Sequence, residues 1–234
     1  MTTSGVTTFQ PVTTEILEGA FNCLGVAQEG EALTPRMYAD GLRALNWLIQ
    51  TWSANPHLWT YREGTLALVG NQAAYALTDP RPLRVTSVRR VQNGIQVPMT
   101  QFSKQEYFDQ PTQTTSPSIP VNFYFDPQVN QGTLYLWPCP SISAAAQFSL
   151  ALTYVRQMDI MTDTNNTIDM PQQWIEPVTW NLAKRLMPQY PVNDPGLATL
   201  VLSQAKETLD HLLMWDNEPA SIYMQPESRW GPRA

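Results

Sequence analysis

The side chains that could do covalent or metal chemistry are few and widely spaced. Cys23 and Cys139 are the two cysteines, His57 and His211 the two histidines, and none of them shows the close spacing at which zinc ligands recur. Cys23 falls in a helix-like segment and Cys139 between Pro138 and Pro140. Each reads as a small buried hydrophobe in preference to half of a disulfide. The chain contains no Gly-x-Ser-x-Gly, no His-Glu-x-x-His and no Gly-x-x-x-x-Gly-Lys-Ser/Thr, so nucleophilic hydrolysis, zinc proteolysis and nucleotide hydrolysis lack support. A glycosidase needs only two suitably placed carboxylates, and Glu15, Glu18, Asp40, Asp159, Asp163 and Asp169 are available. Carboxylates are too common for their presence to mark an active site. Asp163-Thr-Asn165-Asn-Thr167 resembles a calcium loop in its alternating oxygen ligands, but Ile168 stands where glycine is required and Trp174 where the twelfth-position glutamate belongs. It reads as a polar turn. His211, one turn beyond Glu207, is expected on a solvated helix face. The expectation is a protein without catalytic residues, metal ligands or cofactor.

Composition points to binding. Charged residues make up 15% of the chain and hydrophobic ones 43%, with 8 Trp, 9 Tyr and 9 Met; an average soluble domain carries roughly 25% charge. Interface cores are depleted in charge and enriched in aromatics and methionine, so the surplus suits either surface reserved for partners or an enlarged core. Lys and Arg number 14 against 20 Asp and Glu, a formal charge of -6, with no basic run to grip phosphates. No apolar stretch approaches the roughly 20 residues of a membrane span, and the N-terminus lacks the features of a signal peptide. A soluble protein of the cytoplasm is expected.

These properties rest on three blocks of elements. The first is a helix pair. Ile16, Leu17, Ala20, Phe21 and Leu24 share one face of a helix over about Thr13 to Leu24, with Thr13 or Thr14 as cap and Gly25 as stop. Thr34-Pro35 opens a second helix carrying Tyr38, Leu42, Leu45, Ile49 and Trp52, ended by Asn55-Pro56. From about Tyr61 to Met158 the period falls to two, giving short runs at Thr65 to Val69, Ala74 to Leu77, Leu83 to Val91, Ile95 to Met99, Val121 to Phe125, Thr133 to Trp137 and Phe148 to Val155. Asn93-Gly94 and Asn130-Gln131-Gly132 read as hairpin turns. Helical period returns near Asp169, with Trp174, Val178 and Leu182 on a stripe to about Met187. Pro177 inside it must kink the helix or delay its start. Asp194-Pro195 opens a last helix bearing Leu197, Val201, Ala205, Leu209, Leu212 and Leu213.

Beyond Trp215 periodicity stops. Pro219, Pro226 and Pro232 are interspersed with Tyr223, Met224, Arg229, Trp230 and Arg233, which reads as an extended tail. Free disordered segments are usually poor in aromatics. Tyr223 and Trp230 beside two arginines therefore suit a peptide that orders on a partner, the alternative being an ordinary frayed terminus.

The fold expected is α+β: a helical body from residues 1–58 and 169–216, an inserted mainly antiparallel β domain at 59–168, and an extended docking tail at 217–234. This order, with several short motifs, resembles the head-to-tail adaptor family of short-tailed phages, also called head-completion or tail accessory factors. The residues that carry the resemblance are Glu15-Ile-Leu-Glu-Gly-Ala-Phe-Asn-Cys-Leu-Gly-Val26, Asp40-Gly-Leu-Arg-Ala-Leu-Asn46 and Trp52. They continue with Ser103, Glu106-Tyr107, the Pro120 to Phe125 strand, Gly132-Thr-Leu-Tyr-Leu-Trp-Pro-Cys-Pro140, Ile168-Asp-Met-Pro171 and Trp180-Asn-Leu-Ala183. Each is a loose pattern, and specificity comes from their common order over most of the chain. Pro177 departs from an uninterrupted third helix. The resemblance implies a self-assembled ring, usually dodecameric, below the portal protein, continuing the channel for double-stranded DNA and presenting a platform for the tail or nozzle protein. It places the protein at the virion's head-tail junction. It also implies that the C-terminal extension, with Tyr223, Met224, Arg229, Trp230 and Arg233, docks on the portal. A soluble tail or baseplate module of another kind is the competing structural reading.

Overall fold

The computed structural model describes residues 5, 8–26, 32–55, 57–78, 81–110, 114 and 116–216. The elements run α1 (Thr13–Cys23), α2 (Pro35–Ser53), a 3-10 turn (Leu58–Thr60), β1 (Tyr61–Ala67), β2 (Ala74–Leu77), β3 (Pro82–Gln92), β4 (Ile95–Pro98), β5 (Thr100–Gln101) and α3 (Lys104–Phe108). They continue with β6 (Asn122–Pro127), β7 (Gly132–Trp137), α4 (Ile142–Gln147), β8 (Ser149–Arg156), a second 3-10 turn (Gln172–Trp174), α5 (Ile175–Leu186) and α6 (Pro195–Trp215). The fold is α+β.

Cap chemistry sets most helix ends. The Thr34 hydroxyl accepts from the Met37 amide at the start of α2, with Pro35 in the first turn, and Asp194 accepts from the Gly196 amide at the start of α6. Gly25 takes a φ of +65° directly after α1, a conformation that costs glycine least. The capping expected of Thr13 or Thr14 is corrected: Val12 is the N-cap and makes no side-chain cap bond. The two hydroxyls donate instead to the Asn166 and Thr164 carbonyls at 2.7 and 2.8 Å, which ties α1 to the 163–167 turn.

The helical core buries Ile16, Leu17 and Phe21 of α1, Leu45 and Ile49 of α2, and Val178, Leu182 and Leu186 of α5. Both α1 and α2 pack on α5, and α6 covers α5 from another side through Val201 and Ala205. Leu213, placed on the α6 core stripe from its spacing, is exposed. Pro177 sits in the first turn of α5, where its missing amide proton would have had no helical acceptor. The helix start is delayed by the 3-10 turn, and no kink is needed.

The β region forms two four-stranded sheets, ordered β1-β8-β3-β4 and β2-β7-β6-β5. Every named pair is antiparallel except β5 with β6. Their inner faces share one core, with Val85, Val88, Leu150 and Leu152 from the first sheet meeting Tyr75, Phe123, Phe125, Leu134 and Leu136 from the second. That arrangement is a sandwich. At Asn93-Gly94 both residues have positive φ, 49° and 82°, as the two-residue turn between β3 and β4 requires. Gly132 pairs with Pro127 to close the β6–β7 hairpin. The short helices α3 and α4 were not read from the sequence. Ser103 and Glu106 form a capping box on α3, and the Ser141 hydroxyl caps α4.

Candidate functional site

The two ends of the helical body converge where α6 stops. The chain leaves α2 through His57, whose amide donates to the Thr60 hydroxyl while that hydroxyl donates back to the His57 carbonyl. This local clamp turns the imidazole inward, leaving His57 only 5% exposed. Its Nδ1 lies 2.6 Å from Oδ2 of Asp216, the residue that ends α6. The ring also meets Trp174 edge-on at 4.4 Å and lies parallel to Trp59 at 6.2 Å. Trp52 packs on Trp174 from the other side at 5.6 Å. Three stretches far apart in sequence, around residues 52–59, 174 and 216, thus meet at one aromatic cluster.

The cluster is braced at the root of the sandwich. The Arg156 guanidinium lies over the Trp59 ring at 5.7 Å and makes a two-point ion pair with Asp169, its Nη2 donating to Oδ1 at 2.8 Å and its Nη1 to Oδ2. The Asp159 amide donates to the same carboxylate. Burial pushes the Asp169 acid up, but Arg156 and the Asp159 amide outweigh it and hold the carboxyl below the usual aspartate range. The same pair raises the Arg156 guanidinium.

Beside the cluster opens a groove of about 640 Å³. Trp59, Pro171, Trp174, Pro177, Leu212 and Trp215 line it together with the polar Gln173, Glu176, Thr208, His211 and Asp216. His211 is exposed there. Flat apolar rings walled by prolines, with acids at the edge, suit an extended peptide more than a reaction. The His57 and Asp216 side chains make half of a charge-relay arrangement, but the Thr60 hydroxyl is committed to the His57 backbone and not to its ring.

Of the carboxylates weighed as acids for glycoside chemistry, Asp159 and Asp169 line one pocket, where the Asp169 carboxylate is committed to Arg156. Glu15 and Asp159 are exposed. Glu18 accepts from the Tyr38 hydroxyl at 2.7 Å, and Asp40 is held by Arg36, Arg43 and Tyr190. Asp163 accepts from the Asn165 amide within the polar turn. Where carboxylate acidity is displaced, at Glu106 by the Ser103 amide and at Asp169, it is displaced downward; a general acid needs the opposite. Among the described residues no group of three or more His, Cys, Asp or Glu side chains could hold a metal ion, and no helix is long and apolar enough to cross a membrane. Burial raises both thiols; Cys139 is buried, Cys23 half-buried. The proposed docking residues Tyr223, Met224, Arg229, Trp230 and Arg233 lie outside the described residues. Sequence reasoning missed the pairing of His57 with Asp216, for which a separation of 159 residues offers no periodic signal.

A protein-family profile described as SU10 adaptor protein matches residues 21–229. The chain belongs to the SU10 adaptor protein family. That membership makes it a structural protein of bacteriophage virion assembly, a head-to-tail adaptor, as the resemblance in its sequence implied. A chain from a solved structure, the neck of an empty GTA particle computed with C6 symmetry, is similar at 13% identity over 87% of this chain and 95% of that one. Its TM-score is 0.28. No match was found among the curated proteins. In this SU10 adaptor the groove stands at the end of α6, beside Trp215 and Asp216.

Proposed function

We propose that this adaptor works as a ring of identical subunits, twelve by the family resemblance, seated beneath the portal of a tailed phage. Each subunit contributes a helical body, residues 1–58 and 169–216, and an inserted β domain, residues 59–168. The ring continues the DNA channel and offers the tail or nozzle protein its platform. Assembly takes place in the host cytoplasm, and the role is binding, not turnover. The C-terminal segment docks on the portal through Tyr223, Met224, Arg229, Trp230 and Arg233.

Family membership over residues 21–229 carries this reading. Surface chemistry supports it. Exposed apolar side chains are spread over the β region, Ile95 and Val97 on the edge strand β4, Val129 at the β6–β7 turn and Ile142 opening α4, as a subunit with several neighbours would need. Head-to-tail contacts between copies close into a ring when the rotation divides the circle. With a formal charge of -6, the ring would let DNA slide without gripping it.

The test is the mass of the purified protein by analytical ultracentrifugation, alone and mixed with the portal protein of the same phage. Weak association alone and one large multi-copy complex with the portal are expected. No complex at micromolar concentration would remove the portal as partner.

A further inference from the structure

The groove between the α5 entry and the α6 exit is a mainly apolar site beside the start of the C-terminal segment. Asp216 lines it and is the last described residue; eighteen residues follow, 217–234. We propose that in the unassembled adaptor this groove holds the chain's own C-terminal segment, which keeps the portal-docking side chains covered until a portal is met. The proposal rests on the reading of that segment as a docking peptide.

Three observations choose this occupant. The first is chemistry. Three tryptophans, two prolines and Leu212 share the lining with Gln173, Glu176, Thr208, His211 and Asp216, a mix of rings, prolines and hydrogen-bonding groups that takes proline-punctuated extended peptides. The segment carries Pro219, Pro226 and Pro232 with Tyr223 and Trp230 as ring-sized anchors. Trp215 at the groove edge is 87% exposed, so an apolar cover has area to gain.

The second is charge. Glu176 lines the groove and is exposed, and in the eighteen-residue segment the two arginines, Arg229 and Arg233, both follow its two acids, Glu218 and Glu227, so its distal end is the cationic one. The third is reach and tethering. Fully extended at about 3.1 Å per residue, eighteen residues span about 55 Å, ample to cross the groove and turn back. A tether this short gives an effective concentration in the millimolar range, so an intrinsic Kd of about 100 μM already leaves the groove roughly nine-tenths filled. A second copy at micromolar concentration would compete poorly. A portal ring, which presents many sites at once, can compete.

The experiment uses the full chain with no portal present. A photo-crosslinking aromatic, p-benzoylphenylalanine, replaces Tyr223, and the protein is irradiated as an equal mixture of 14N- and 15N-labelled copies. Crosslinks from position 223 to peptides containing residues 171–177 or 208–215, without isotopic mixing, are the expected result. Crosslinks absent from those peptides overturn the proposal. Isotopically mixed crosslinks also overturn it and name a second copy as occupant. Glu176→Lys in the same background, with unchanged circular dichroism, should lower the yield at least threefold; an unchanged yield likewise counts against it. Because no portal is present, failure here leaves the portal reading to be decided by the mass measurement.

Discussion

His57 Nδ1 and Asp216 Oδ2 stand 2.6 Å apart across 159 residues of chain, buried against Trp174. The contact fastens the exit from α2 to the C-cap of α6, and so fixes where the chain leaves the helical body. An acceptor buried at a helix end is costly to orphan, and here the aspartate has a ring nitrogen within hydrogen-bond reach. The position of the adaptor's C-terminal segment therefore depends on a residue near the N-terminal third of the chain.

Asp216→Ala should loosen that end first. Loss of a hydrogen bond to a charged group costs about 1.5–3 kcal/mol, which for a chain of this size lowers Tm by about 3–12 °C. Hydrogen exchange at residues 209–216 should accelerate well before exchange in α5. Unchanged protection of that last turn would mean the contact does not anchor α6.

The Arg156–Asp169 pair makes stability depend on pH. The folded carboxyl is held below its ordinary value, so its contribution is complete above the unfolded aspartate pKa of about 3.9 and is lost as pH falls through the lower folded value. Asp169→Asn should therefore cost about 1–3 kcal/mol at pH 7 and progressively less below pH 4, read by urea unfolding across that range. An equal cost at pH 7 and pH 3 would show that the pair contributes through packing alone.

Two glycines separate steric from backbone cost. A Cβ on Gly70 would stand 2.8 Å from both Cα and Cγ1 of Ile142, where backbone must move; Gly70→Ala should destabilise by about 1–3 kcal/mol. Gly94 faces open space but has a φ of +82°, so Gly94→Ala should cost about 1 kcal/mol through backbone strain. Chemical denaturation of both variants checks the order. A larger loss at Gly94 would place the tighter constraint in the β3–β4 turn.

What the sequence revealed divides along the range of its signals. The caps Thr34-Pro35 and Asp194-Pro195, the Asn93-Gly94 turn and the alternation Phe148 to Val155 act within a few residues, and each appears in the fold where local chemistry put it. Thr13 and Thr14 look like caps by the same logic, yet their hydroxyls go to carbonyls some 150 positions away, which no local pattern encodes. The short helices α3 and α4 interrupt the β run over five and six residues, too few for a periodic signal. The groove was hidden for a related reason. Trp59, Trp174 and Trp215 lie far apart in sequence, and only the return of α6 onto the α2 exit sets them around one opening.

Asn181 is a buried amide that joins α5 to α6. Its Nδ2 donates to the Pro177 carbonyl within α5 and to the Ala205 carbonyl of α6, both at 2.9 Å, inside a core of Val178, Leu182 and Val201. Both acceptors are backbone carbonyls, so the site accommodates donors and repels anions. Asn181→Leu removes the donors but can refill the volume, and should cost about 1–3 kcal/mol. Asn181→Asp would set a carboxylate against two carbonyl oxygens without a cation. The folded protein would favour its protonated form and raise its pKa, so the variant's stability would be greatest below the unfolded aspartate pKa of about 3.9 and fall as pH rises through the folded value. At pH 7 the deficit against the parent should reach about 3–5 kcal/mol and should shrink by more than half at pH 4.5 in urea unfolding. A deficit that stays constant with pH would mean that water or a cation reaches the α5–α6 interface, and that the amide bridges an open seam instead of a closed core.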